Sequence, residues 1–174
     1  DNYRRLRNTL RFILGNLADW DESERLEVDE MPELDQWVLH RISVLDKQIR
    51  QNCANYEFSR MFSAIHNFCT LELSAFYFDV RKDVLYCDGV MDTRRRAART
   101  VLDQLFHCLT SWLAPILVFT AEETWLSRFP GEDSSVHLNQ FPAIPANWQN
   151  DDLDAKWSKV RTFRRVVTGA LEVE

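Results

Sequence analysis

Within five residues, Lys82, Asp83 and Tyr86, with Arg81 beside them, set two cations, a carboxylate and an aromatic ring at the end of a long apolar stretch. Cations of this kind neutralise phosphates with release of counterions, and an exposed aromatic ring stacks on an unpaired base for about 1 to 3 kcal/mol. Two arginine groups add to them: Arg4, Arg7 and Arg11 with Asn8 near the start, and Arg94, Arg95, Arg96 and Arg99 just after Asp88-Gly89. Arginines where a helix begins oppose that helix's own dipole, whose N-terminal end already carries partial positive charge, so the second group favours an external anion. The plainer account of each group is a solvated face whose arginines pair with the carboxylates crowded between Asp19 and Asp35.

Nothing in the chain reads as a reactive centre. There is no G-x-S-x-G elbow, no Gly-rich phosphate loop and no H-E-x-x-H, and only four glycines occur in total. His40, His66, His107 and His137 stand singly and read as structural residues. Cys53, Cys69, Cys87 and Cys108 are separated by 16, 18 and 21 residues without a C-x-x-C pair, which argues against a zinc site and a disulfide framework alike. Cys53 and Cys69 fall on apolar faces, as reduced cysteines of a cytoplasmic protein do. We therefore expect no catalytic residue, no metal ligand and no cofactor in this stretch.

The elements that must position the charges are helices. Glu57 to Cys87 reads as one long central helix, with Phe58, Phe62, Ile65, Cys69, Leu73, Phe76 and Val80 on one face and Met61, Phe68, Leu71 and Phe78 on its flank. Glu72 falls inside that apolar sector, so an arginine or hydroxyl from a neighbouring helix is expected beside it. A first helix runs to about Leu17, packing Tyr3, Leu6, Leu10, Ile13, Leu14 and Leu17 and leaving Arg4, Asn8 and Arg11 on the opposite side. A second covers about Glu33 to Asn52, with Asn55-Tyr56 turning into the central helix. A fourth begins at Thr93 and stops near Pro115. Thr120-Ala-Glu-Glu123 reads as the capping box of a short fifth helix. Ser135 to Pro145 reads as extended chain, with Val136, Leu138 and Phe141 inward and a short strand as one option. A sixth helix from about Asp151 to the end would pack Leu153, Trp157, Val160, Phe163 and Val167.

These features predict an all-α fold: a bundle of about five to six helices with a long central helix and a short extended segment near 135–145. With 45% hydrophobic residues in 174, the chain can bury one sizeable core, and we expect a single helical domain over 1–174, as a monomer. The longest apolar run, Trp112 to Phe119, contains Pro115 and falls short of the roughly 20 residues that cross a bilayer, so no membrane partner is expected. Without an initiator Met or leader, and with the helical pattern still running at Glu174, the chain reads as an excised piece of something longer.

The segments YRRLRNTLRFILGNL (Tyr3 to Leu17), ELDQWVLHRI (Glu33 to Ile42), NFCTLELSAFYFDVRKDVLYCD (Asn67 to Asp88), LAPILVFTAEETW (Leu113 to Trp125) and SVHLNQFP (Ser135 to Pro142) resemble, in order and spacing, the helical anticodon-binding domain of isoleucyl-tRNA synthetases, which are class I aminoacyl-tRNA synthetases. The resemblance implies a module that grips the anticodon stem and loop of an isoleucine-accepting tRNA, beside the remaining domains of a parent ligase. The family's ATP-binding H-I-G-H and K-M-S-K-S elements are absent, and Lys156-Trp-Ser-Lys159 lies in an amphipathic helix instead. ATP, and zinc in a later C-terminal segment, are implied for the full-length enzyme alone. K-D-x-L-Y maps onto Lys82, Asp83, Leu85 and Tyr86, with Val84 where a basic residue is expected. On that footing Lys82 contacts phosphate or a base, Tyr86 stacks, and Arg4, Arg7, Arg11 and Arg94 to Arg96 steer the stem. A helical protein-interaction module with solvated arginines, or the equivalent domain of a related class I synthetase, is the alternative.

Overall fold

A computed structural model describes residues 1–171. Six helical rods, and no strand, occur among the described residues: α1 (Asn2–Asn16), α2 (Glu33–Ala54), a central rod, α5 (Thr93–Leu113), α6 (Val118–Leu126) and α7 (Asp151–Leu171). The central rod has three parts, α3 (Phe58–Asn67), a π-helical segment (Phe68–Tyr77) and α4 (Phe78–Cys87). The backbone keeps right-handed helical dihedrals through both junctions, so the rod is continuous. Leu6, Leu10 and Ile13 of α1, Trp37, Ile42 and Ile49 of α2, and Leu105, Leu109 and Trp112 of α5 meet Ile65 and Leu73 of the rod in one apolar cluster.

The π segment changes which side chains point inward. Hydrogen bonds from i to i+5 widen each turn, so every residue advances by less than the about 100° of an α-helix. Over ten residues the lag carries the apolar stripe past its expected position. Val80, expected inside, is 41% exposed, and Leu71 of the flank is 60% exposed. Tyr77 and Arg81 are buried in their place. Within the same segment Glu72 finds its expected arginine: Arg41 Nε and Nη2 donate to its two oxygens at 2.8 and 3.1 Å. Arg41 Nη1 also lies 3.8 Å from Asp154 of α7, whose other oxygen accepts from the Trp37 indole at 2.9 Å. One ionic chain thus ties α2, the π segment and α7 together.

Other expectations need correction at the ends of elements. Thr120 does not cap α6: the helix starts at Val118, and the Thr120 hydroxyl is buried against Tyr3 of α1, Oγ1 to OH 3.0 Å. Tyr3 is accordingly half exposed at the bundle's edge instead of filling the core. Ser135 to Pro145 forms no strand. Its Val136–Leu138 part is a 3-10 turn capped by the Ser135 side chain, with extended backbone either side, and it turns Val136 inward but Leu138 out to solvent. In α7 only Leu153 and Trp157 pack; Val160, Phe163 and Val167 face water with Val166 and Leu171. α5 stops at Leu113 because Pro115 has no N–H to continue the ladder.

A buried imidazole, His40, and a half-buried one, His107, make stability depend on pH. His40 is 1% exposed, and its Nδ1 accepts the Asn150 backbone N–H at 2.9 Å. Burial holds it below the ordinary value of 6.5, with Asp154 opposing. Burial lowers His107 likewise, with Asp103 opposing. Their native pKa values lie below the unfolded ones, so the unfolded chain binds more protons between them, and stability rises with pH in that window. Unfolding free energy is expected to fall as pH drops below about 6.5, by at most about 1.4 kcal/mol per pH unit for each histidine, and the thermal midpoint with it. A midpoint flat from neutral pH to the onset of carboxylate titration contradicts this.

Candidate nucleic-acid interface

The charged residues singled out above fall into three groups. Arg81 and Arg99 belong to the core. Arg81 donates to both oxygens of Asp35, through Nε at 3.1 Å and through Nη2, and the Tyr77 hydroxyl donates to the same carboxylate at 2.7 Å. Burial pushes the Asp35 carboxyl up, while Arg81 and Tyr77 oppose that shift. Arg99 is 4% exposed, donates to the Ala18 carbonyl at 3.0 Å and lies 3.3 Å from Glu24. Neither presents its guanidinium to a ligand, which corrects their place in the expected interface. An R-K-D run read as an exposed helix end cannot reveal that a π segment has turned its first member inward.

Structural partners largely occupy a second group. Arg96 donates to the Glu24 and Ser23 carbonyls at 3.1 and 3.2 Å, clamping the acidic connector onto α5. Arg95 is half-buried, with Nε 3.4 Å from the Leu85 carbonyl. Arg7 forms a forked pair with Glu123 of α6 at 2.7 and 2.9 Å, the carboxylate that the capping-box reading assigned elsewhere. The resulting contact raises the Arg7 guanidinium and lowers Glu123. The arginine run at the start of α5 thus answers an internal need: loop carbonyls and the Asp92 cap offset the unfavourable dipole position.

A third group stays exposed and shares one flank. Phe12 of α1 stacks on Phe78 of α4, ring centroids 4.3 Å apart, which fixes the two helices side by side. Above that stack Tyr86, 66% exposed, lines a groove with Asn8, Arg11, Gly15 and Asn16 of α1. Helical spacing puts Arg4 one turn below Asn8 on the same stripe, where it is exposed beside Asp1. Lys82 and Asp83 lie one turn before Tyr86 on the exposed face of α4. Lys82 Nζ is 3.1 Å from Asp79, whose hydrogen bond raises the ammonium and lowers the carboxyl. Beyond them Arg94, at the tip, pairs with Asp88 at 2.9 Å.

The same Asp79 accepts from Arg164 of α7 at 2.7 Å. Arg164 stands with Arg161 and Arg165 along a second groove, between α7 and the π segment. The apolar spacing of the last helix and its Lys156-Trp-Ser-Lys159 string single out none of these three arginines. A signal was there: residues 155–171 hold five basic side chains and no acidic one in a chain of net charge −6. Among the described residues no group of three or more His, Cys, Asp or Glu side chains is placed to hold a metal ion, and no helix is long and apolar enough to cross a membrane.

A helical scaffold that sets the exposed cations Arg4, Arg11 and Lys82 and the exposed Tyr86 ring along one flank is suited to holding a polyanion with unpaired bases. Residues 35–172 match the family described as the anticodon-binding domain of tRNA ligase, and the chain belongs to that family. Over its whole length it is 61% identical to an isoleucine--tRNA ligase of Ruegeria pomeroyi and 55% identical to that of Agrobacterium fabrum, and over 99% of its length 53% identical to that of Mesorhizobium japonicum. The chain spans 17 to 18% of the length of these relatives.

Proposed function

We propose that residues 1–174 form one domain of an isoleucine--tRNA ligase, and that it grips the anticodon stem and loop of an isoleucine-accepting tRNA. ATP-dependent activation of isoleucine and its transfer to tRNA would belong to other parts of the same enzyme, acting in the cytoplasm. Tyr86 beside Arg11 and Asn8, with Lys82 one turn away, is the observation that carries this proposal. Recognition of single-stranded RNA relies on aromatic platforms for splayed bases with cations along the backbone, and that flank supplies both. Lys82 and Arg11 would meet phosphates, Tyr86 would stack on a base, Arg4 and Arg94 would steer the stem, and Asn8 and Asp83 would offer hydrogen bonds to base edges.

Replacing Lys82 with Ala in the full-length ligase should raise KM for tRNA by about fivefold to tenfold, the effect of one lost phosphate contact. Isoleucine-dependent ATP–pyrophosphate exchange, which needs no tRNA, should keep its rate. Unchanged aminoacylation kinetics would remove Lys82 from the interface. A second proposal, a helical protein-interaction module, has the bare outer stripe of α7 (Val160, Phe163, Val167, Leu171) in its favour. Binding that ignores salt and a failure to bind tRNA would favour it.

A further inference from the structure

We infer that the groove between α7 and the π segment is a second phosphate-binding surface, continuous with Lys82, along which the RNA backbone runs after leaving the Tyr86 groove. This extends the tRNA-binding proposal above and rests on it. The floor of the groove is Phe76 and Leu71, and its rim carries Arg161, Arg164, Arg165 and Thr162, with no carboxylate among the lining residues. Two of these arginines are held in place by aromatic rings, Arg161 without an acid partner among the described residues and Arg164 with one edge on Asp79 and the Ala75 carbonyl. Arg161 lies over the rings of Trp37 and Phe76, 5.2 and 5.6 Å from guanidinium carbon to centroid, and Arg164 lies over Phe76 at 5.3 Å. Stacking of this kind orients the planar guanidinium while leaving N–H donors at the edge of Arg161 for a phosphate fork. Arg165 is exposed and has no ion pair among the described residues.

Asp79 joins this groove to the first. One of its oxygens accepts from Lys82 at 3.1 Å and the other from Arg164 at 2.7 Å, so a single carboxylate sets two cations side by side across the gap between α4 and α7. Two cations to one acid leave the bridge net positive. The dipole of α7 does not explain its arginines, because Arg161 to Arg165 lie more than a turn from the end of a helix that runs to Leu171, beyond the range of that effect. A sugar-phosphate strand matches the surface: evenly spaced anions over an open groove with arginine forks and a hydroxyl along its edge.

The test measures binding of the isoleucine-accepting tRNA transcript to the full-length ligase from about 50 to 200 mM salt, with thermal midpoints recorded for every variant. R164Q/R165Q should weaken binding about tenfold and lower the slope of log affinity against log salt by about 1 to 2, equally for tRNAs of other anticodons, since phosphate contacts carry no sequence information. Asp79→Asn removes the carboxylate between Lys82 and Arg164 and should tighten binding about threefold. If R164Q/R165Q leaves affinity and slope unchanged while K82A weakens binding, the α7 groove is refuted and the Tyr86 flank stands. If neither variant has an effect, the tRNA-binding proposal falls too. Weaker binding by D79N at an unchanged thermal midpoint also overturns the continuous surface.

Discussion

Replacing Arg81 with Ala is expected to destabilise the fold by about 3 to 5 kcal/mol, the range for removing one partner of a buried ion pair. For a chain of this size that lowers the thermal midpoint by roughly 10 °C. The cause is what stays behind: Asp35, at 0% exposure, would keep the Tyr77 hydroxyl as its one side-chain donor. R81K should recover little, because an ammonium cannot reproduce the fork that reaches both Asp35 oxygens. An arginine on the RNA-facing surface would behave in the opposite way, with stability changed by no more than about 0.5 kcal/mol and binding weakened. Circular-dichroism melts of the wild-type chain and R81A decide the matter, and a midpoint within a degree of wild type would sink the buried role.

Arg81 also marks where sequence reasoning stops. The rods themselves were legible, since apolar spacing, Pro115 and the Asp88-Gly89 break delimit them and α1, α2, α5 and α7 begin within a residue of their expected starts. The partner type of Glu72 was legible too, because a carboxylate in an apolar sector demands a donor. Val80 and Arg81 exchanged places because counting at 3.6 residues per turn cannot register a π segment, whose hydrogen bonds leave no mark in composition. Arg96 and Arg99 bind carbonyls more than 70 residues away, at Ser23 and Ala18, a choice of partner that no local charge run reveals. Of the candidate site, the exposure of the Lys82 to Tyr86 face and of the Asn8/Arg11 stripe was legible, whereas the α7 arginines were masked by the apolar residues interleaved with them.

The largest effect on binding is expected from reversing charge on both sides of the Tyr86 groove. R11E/K82E removes the two cations proposed to meet phosphates and sets two carboxylates in their place, so affinity for tRNA should fall by about 100-fold or more. Folding should be almost unaffected. Both side chains are exposed, and the pair that Lys82 makes with Asp79 is a surface pair of the kind worth about 0 to 1 kcal/mol. Loss of binding without loss of stability is the converse of the R81A result, and together the two variants separate the cations that hold the fold from those that face a ligand.

The most direct measurement is a titration of tRNA with wild-type and R11E/K82E ligase at several salt concentrations. The wild-type affinity should fall steeply as salt rises, and the variant should bind far more weakly with a slope shallower by about 2. Wild-type and variant lines that coincide would contradict the assignment of this flank to RNA.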